Sequence, residues 1–269
     1  MLLLFITAIG LLMALPLFFA ISSSLKPLSE LWLFPPRLFV INPTLKNYRS
    51  LFSLMNDSWV PFSKYIFNTV LYSVLGTAGN VVFSSMCAYA ISKIKYRGSR
   101  VIFQAIVYSL MFSTAVTAIP NFLIIKSLGL LDTLWAVVLP SMAAPLGLYL
   151  MKQFMETLVH DVLLEAARID GANEWTLFWK IVMPMVKPAW LTLIVFSFQS
   201  LWNMGQNFLI RRETLKTFNY AVSQIISGGI ARAGAGSAAA VLLMIVPVTV
   251  FIFTQSSIVE TMSTSGMKD

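Results

Sequence analysis

The chain has 269 residues, of which 58% are hydrophobic and only 11% charged, with a formal net charge of +8. A mean hydropathy of +0.79 excludes an ordinary soluble domain, because no aqueous core of this size needs so much apolar surface. The composition places the protein in the membrane class.

Six long windows contain no Asp, Glu, Lys, Arg or His: 1–25, 65–92, 101–125, 133–151, 188–210 and 233–259. A spanning helix needs about 20 apolar residues to cross a hydrocarbon core roughly 30 Å thick, so each window can span. The expected fold is an all-α integral membrane protein, a single transmembrane domain over 1–269 with six helices. The first window lacks the basic start of a signal peptide and reads as a permanent helix. Its opening inside the window leaves room for a short cytoplasmic tail before it. Cys87, the lone cysteine, falls inside the second window and is expected simply to pack. Pro140 and Pro145 predict a kinked fourth helix whose freed carbonyls are satisfied by neighbouring helices. Trp59, Trp135 and Trp190 sit near window ends, where interfacial anchoring and burial are both open readings.

The fifth window carries Gln199, Asn203 and Gln206 with Trp202 beside them. These polar and aromatic side chains are the candidates for a substrate pathway. The competing reading is that the amides hydrogen-bond between helices. GGIARAGAG at 228–236 has no following Lys-Ser or Lys-Thr, so it reads as a loop entering the last helix. His160 has no Cys or carboxylate around it whose spacing makes a persuasive ligand set, and no metal site is expected.

Orientation follows from charge density in short loops. Lys93, Lys95, Arg97 and Arg100 lie within eight residues, which places that loop, and with it both termini, in the cytoplasm. The outer loops then hold ten Lys and Arg against four carboxylates, and the inner ones nine against seven. A positive outer face points to an anionic solute, with lipid headgroups or an acidic partner as the alternative.

Transport needs energy, and an ion-coupled secondary transporter usually carries ionisable groups within its helices. The six windows contain none, which lowers the ion-coupled reading and points to energy supplied by another subunit; a secondary transporter and a membrane scaffold stay as the rival classes. The cytoplasmic loop 152–187 is where such a subunit would dock. Five of the eleven carboxylates lie between Glu156 and Glu174. The pattern is two short helices around Gly171, which permits the positive φ of a sharp turn. Val162, Ala166 and Ile169 are expected to be buried, and Ala166 and Ala167 leave a shallow surface for another protein. Asp170 or Asn173 caps the next helix, in which Trp175, Phe178, Trp179 and Val182 form one apolar stripe and which Pro184 closes. Its acids argue against an interfacial helix, which favours Lys and Arg on its polar side.

Glu165-Ala166-Ala167, Gly171, Ile181 and Pro184 together resemble the EAA signature of bacterial ABC importer permeases, with Met183 in place of the usual leucine. EAARIDGA, Phe154-Met155 before it and Pro188-Ala189 after it are similar to the carbohydrate-uptake class. Within that class they match the second permease of a heterodimeric pair in maltose-type and oligosaccharide-type importers. The resemblance covers nearly the whole chain, through SSLKP, AYAISK at 88–93, GLLDTLWAVVLP at 129–140, FSFQSLWN at 196–203 and the C-terminal SGMK. His160, Val162, Met204 and Ser256-Ser257 depart from the usual pattern, and these departures bear on the substrate.

The resemblance implies a plasma-membrane subunit that binds no cofactor and catalyses no reaction itself. A second permease completes the pathway, two ATPase subunits supply ATP and Mg chemistry, and an extracellular solute-binding protein delivers a sugar or oligosaccharide. Glu165, Ala166, Ala167, Asp170, Gly171, Ile181 and Pro184 would form the coupling helix seated on the ATPase. Combined with the basic outer face, the reading extends to an acidic oligosaccharide, with Arg211 and Arg212 near an outer gate. No nucleic-acid partner is expected, and contact with membrane lipid is.

Overall fold

The computed structural model describes residues 1–56, 59–94, 96–205 and 207–265, with side chains for all of these except residues 2 and 256–265. Among them every regular element is helical. In chain order these are α1 (Leu2–Leu25), α2 (Leu28–Leu31), α3 (Lys46–Asn56) and α4 (Phe62–Tyr89), which continues as a π-helical turn, Ala90–Ile94. Then come α5 (Ser99–Ser109), α6 (Thr114–Ser127), α7 (Trp135–Met142), α8 (Pro145–Leu158) and α9 (Asp161–Ile169). After α10 (Glu174–Thr176) a π-helical stretch, Leu177–Val182, leads into α11 (Met183–Met185) and α12 (Lys187–Trp202); α13 (Phe218–Ile226) and α14 (Ala233–Ser265) follow, preceded by 3₁₀ turns at Glu213–Leu215 and Ile230–Arg232 respectively.

Four helical stretches are long and apolar enough to cross a membrane: Leu3–Leu25, Phe62–Ile94, Trp135–Leu158 and Ile230–Gln255. Two bent pairs bring the number to six if each is one span: α5 with α6, bent by 114°, and Glu174–Met185 with α12, bent by 79°. The third charge-free window is thus broken at residues 110–113, where Ser113 stands at the N-cap of α6. In the fourth, Pro145 occupies the first turn of α8, where its missing N–H leaves no bond unmade. The fifth leaves the helix after Trp202. Asn and Gly follow there, and the Asn207 side chain accepts a bond from the Leu209 amide at 2.9 Å.

The chain divides into two compact units. One consists mainly of Met1–Asn68 and Lys216–Val248. Its core joins Leu51 and Met55 of α3, Tyr65, Phe218, Val222 and Ile225 of α13, and Ala235, Ala238 and Ala239 of α14. Asn47 donates to the carbonyls of Ser24 (2.8 Å) and Lys26 (2.7 Å), giving partners to acceptors at the end of α1. The apolar window of α1 itself is 0% buried, so its surface faces lipid or another chain.

The other unit, chiefly Thr69–Trp202, carries the loop 152–187. Its core collects Val81, Ala88 and Tyr89 of α4, Met151 and Met155 of α8, Leu164 of α9, Leu177, Phe178 and Val182, and Ala189 and Leu193 of α12. The larger side chains that the loop itself buries, Leu164, Leu177, Phe178 and Val182, contribute about 1.5–3 kcal/mol each, so the loop is anchored through its underside.

Candidate docking loop between α8 and α12

The loop starts where α8 ends. Lys93, in the π-helical turn after α4, donates from Nζ to the Val159 carbonyl (2.6 Å) and the Asp161 carboxylate (2.9 Å). The ammonium therefore fixes the first residues of α9. Within α9, Leu164 is 1% exposed and sits in the core, while Val162 is 76% and Ile169 87% exposed. Ala166 and Glu165 are exposed too. This corrects the expectation that Val162, Ala166 and Ile169 are buried. Apolar residues at 162, 163, 164, 166, 167 and 169 offer several stripes on so short a helix, and packing selects the one containing Leu164, with Ala167 partly covered. The Val162–Ala166–Ile169 face is left outward.

The turn is a Schellman ending: the Gly171 amide bonds the Arg168 carbonyl and the Ala172 amide that of Ala167, both at 3.0 Å. Gly171 has φ +86, with open space where a Cβ would lie. Asp170 is the C-cap of α9, and Asn173 rather than Asp170 caps the next segment, accepting from the Thr176 amide at 2.8 Å.

The expected stripe of Trp175, Phe178, Trp179 and Val182 splits. The π-helical stretch changes the angular step, so Leu177, Phe178 and Val182 are buried whereas Trp175 and Trp179 are exposed. Ile181 packs partly buried against the core. Pro184 does not close the helix. It sits one residue before the end of the continuous helical stretch Glu174–Met185, and the chain bends after Met185. Trp190 donates from Nε1 to the Met183 carbonyl at 3.1 Å across the bend.

A polar cluster crosses the turn. Glu174 accepts from Arg168 Nε at 2.9 Å and, through its other oxygen, from the Tyr89 hydroxyl at 2.5 Å. Arg168 first and Tyr89 second hold the Glu174 carboxyl below the usual carboxylate range, and the same contact raises the Arg168 guanidinium.

The pathway candidates are spread out. Gln199 is exposed on α12, whereas Trp202 is buried and stacked on Phe198 with ring centroids 5.6 Å apart. Asn203 lies past the helix end, its carbonyl accepting from Asn219 Nδ2 at 2.5 Å. Gln206 lies outside the described residues, as do positions 266–268 of the C-terminal stretch. Arg211 and Arg212 are exposed, and their backbone amides donate to Asp132, the second at 3.0 Å. These two amides, Arg211's first, hold the Asp132 carboxyl below its ordinary value. Among the described residues no group of His, Cys, Asp and Glu is placed to hold a metal ion.

Attention to fifth-window amides missed a second polar cluster. Asn80 of α4 donates to Ser197 Oγ of α12 and accepts from Ser84, both at 2.7 Å. A cavity of about 170 Å³ adjoins it, lined by Asn80, Ser141, Ser197 and Ser200 with Phe196 and Gly147. The signal was present, since Asn80 is the one side-chain amide inside the charge-free stretch 69–92.

Helices long and apolar enough to span a bilayer, joined by a polar helix–glycine–helix loop, define an all-α membrane protein. The comparisons agree. Residues 6–262 match the family described as "Binding-protein-dependent transport system inner membrane component", and the chain belongs to that family. It is similar to the arabinooligosaccharides transport system permease protein AraQ of Bacillus subtilis (strain 168), 29% identical over 98% of this chain and 94% of that protein. Protein LplC of the same organism is 34% identical over 74% of this chain and 65% of its own length. The polygalacturonan/rhamnogalacturonan transport system permease protein YtcP, also of that organism, is 33% identical over 74% and 67%. A crystal structure of a bacterial ABC transporter involved in the import of the acidic polysaccharide alginate contains a chain of the same fold. It has a TM-score of 0.78 and 24% identity, covering 94% of this chain and 93% of that one. Membership makes this chain a membrane component of an ABC importer that works with an ATPase and a solute-binding protein.

Proposed function

We propose that the chain is one of two permeases in an oligosaccharide importer, with both termini cytoplasmic and Asp161–Ile169 seated on an ATPase subunit. The observation that carries this is the outward Val162–Ala166–Ile169 face on a helix whose other side is locked into the core. A soluble-facing helix gains nothing from that face, whereas a partner groove does. ATP and Mg bind the two ATPase copies, this chain catalyses no reaction, and the second permease completes the pathway. Relatives named for arabinooligosaccharide and polygalacturonan/rhamnogalacturonan transport support a carbohydrate substrate. The exposed Arg211 and Arg212 extend that to an acidic one.

Replacing Gly171 tests the docking role. A β-branched residue at φ +86 costs on the order of 1–3 kcal/mol of strain and reorients α9. In membrane vesicles carrying the whole transporter, Gly171→Val is expected to lower uptake while ATP hydrolysis continues. Undiminished uptake would remove the loop from the coupling machinery.

A further inference from the structure

The docking segment turns at Gly171, where nothing lies within reach of a Cβ and the turn itself is held by the two backbone bonds of its Schellman ending. A push on α9 would flex this turn before it moved any spanning helix, unless other contacts lock the two sides together. Four side chains do so, and two of them leave the same end of one spanning helix.

Tyr89 and Lys93 lie at the end of α4 and in the π-helical turn that follows it. Lys93, its side chain only 5% exposed, holds the start of α9 through Val159 and Asp161. Tyr89 is 5% exposed, packs against Phe178 with ring centroids 5.5 Å apart, and gives its hydroxyl to Glu174 beyond the turn. Arg168, in the last turn of α9, completes the frame by bonding Glu174 from the near side. Both ends of the docking helix are thus tied to α4, and the Arg168–Glu174 pair spans the glycine between them.

We infer that Tyr89, Glu174, Arg168 and Lys93 form a strut that makes α9 and the end of α4 move as one body when the ATPase closes. Tyr89 is a positioning residue: it touches neither solute nor nucleotide, and acts by holding Glu174. The inference rests on the docking role proposed above. It assigns α4 as the spanning helix that takes up the stroke, because charged hydrogen bonds at both ends of α9 resist the shear that a single pin would allow.

The test uses the complete transporter in vesicles, with the lone cysteine replaced (Cys87→Ser) and spin labels at Leu163→Cys on α9 and Phe83→Cys on α4. Distances are read without nucleotide and after trapping with MgATP and vanadate, alongside ATP hydrolysis. The parent is expected to show one narrow distance distribution, unchanged between the two states. Tyr89→Phe keeps the ring against Phe178 and removes only the hydroxyl. It is expected to keep the nucleotide-free distance and the hydrolysis rate, but to lose the single narrow distribution on trapping. A merely structural residue would alter both states or neither. Where Tyr89→Phe fails to accumulate, Glu174→Gln puts the same question from the exposed side of the bond. An unchanged narrow distribution in both states for these variants overturns the strut. Cross-linking from Ala166→Cys to the ATPase separates the two ideas: no cross-link defeats the docking role itself, whereas a cross-link with an unaltered Tyr89→Phe defeats only the strut.

Discussion

Glu174 serves two donors from different elements, and its ionisation decides whether it can. A carboxylate accepts from Arg168 and Tyr89 at once, while the protonated acid loses most of the Arg168 attraction. Its native pKa lies below the ordinary Glu value of about 4.3, so the unfolded chain binds the proton more readily. The stabilisation is therefore present above the unfolded pKa and is lost as pH falls through the lowered native one. Thermal unfolding of the parent and Glu174→Gln should differ at neutral pH and converge in acid. A difference that stayed constant down to pH 3 would locate the effect elsewhere. Residues of this kind were only partly legible in the sequence. Gly171 and Asn173 were, because a positive φ and a cap are local demands that residue type answers directly. The outward turn of Val162 and Ile169 was not, because a helix with six apolar residues in nine positions does not say which stripe the rest of the protein will cover.

Elements were legible where their limits are chemical and hidden where they are geometric. Long charge-free runs announced α1, α4 and α14, but the same criterion carries no direction, so the 114° bend between α5 and α6 is invisible to a reading that counts only charges, although Ser113 stands at the break. The π-helical stretch at Leu177–Val182 was hidden for the same reason, since a periodicity argument assumes the step that the π-helix changes. Helix contacts in the membrane show a related dependence on small residues. Gly147 of α8 lies so close to α4 and α12 that a Cβ would come 2.7 Å from Ser84 Oγ, 2.8 Å from Asn80 Oδ1 and 3.0 Å from Leu193 Cδ1. The first two atoms are held in the Ser84–Asn80–Ser197 chain of hydrogen bonds and cannot simply swing aside. Gly147→Ala is accordingly expected to destabilise by about 1–3 kcal/mol, the usual cost of overpacking. It should lower the midpoint of thermal unfolding in detergent. An unshifted midpoint would mean that the three helices separate without penalty and that the polar chain contributes little to their association.

At the scale of the whole molecule, the unequal charge of the two faces bears on what is carried. In the orientation proposed above, the outer loops have an excess of six positive charges and the inner ones an excess of two. Arg211 and Arg212 contribute to the former, and the clasp with Asp132 rests first on their backbone amides, with their charges adding a smaller attraction. Neutralising both side chains therefore changes the field at that end of the protein and leaves the clasp in place. A charged rim acts mainly on the encounter with an oppositely charged solute, and its effect shrinks as salt shortens the screening length. The double substitution Arg211→Gln with Arg212→Gln is expected to reduce uptake of a uronic-acid oligosaccharide several-fold at low ionic strength, on the order of the steering range. At high ionic strength the reduction should be smaller, and a neutral oligosaccharide of the same size should be unaffected throughout. Equal uptake of the acidic and neutral sugars by the parent protein would remove the case for an acidic substrate, since the basic face would then be matched to a lipid or a partner surface and not to the solute.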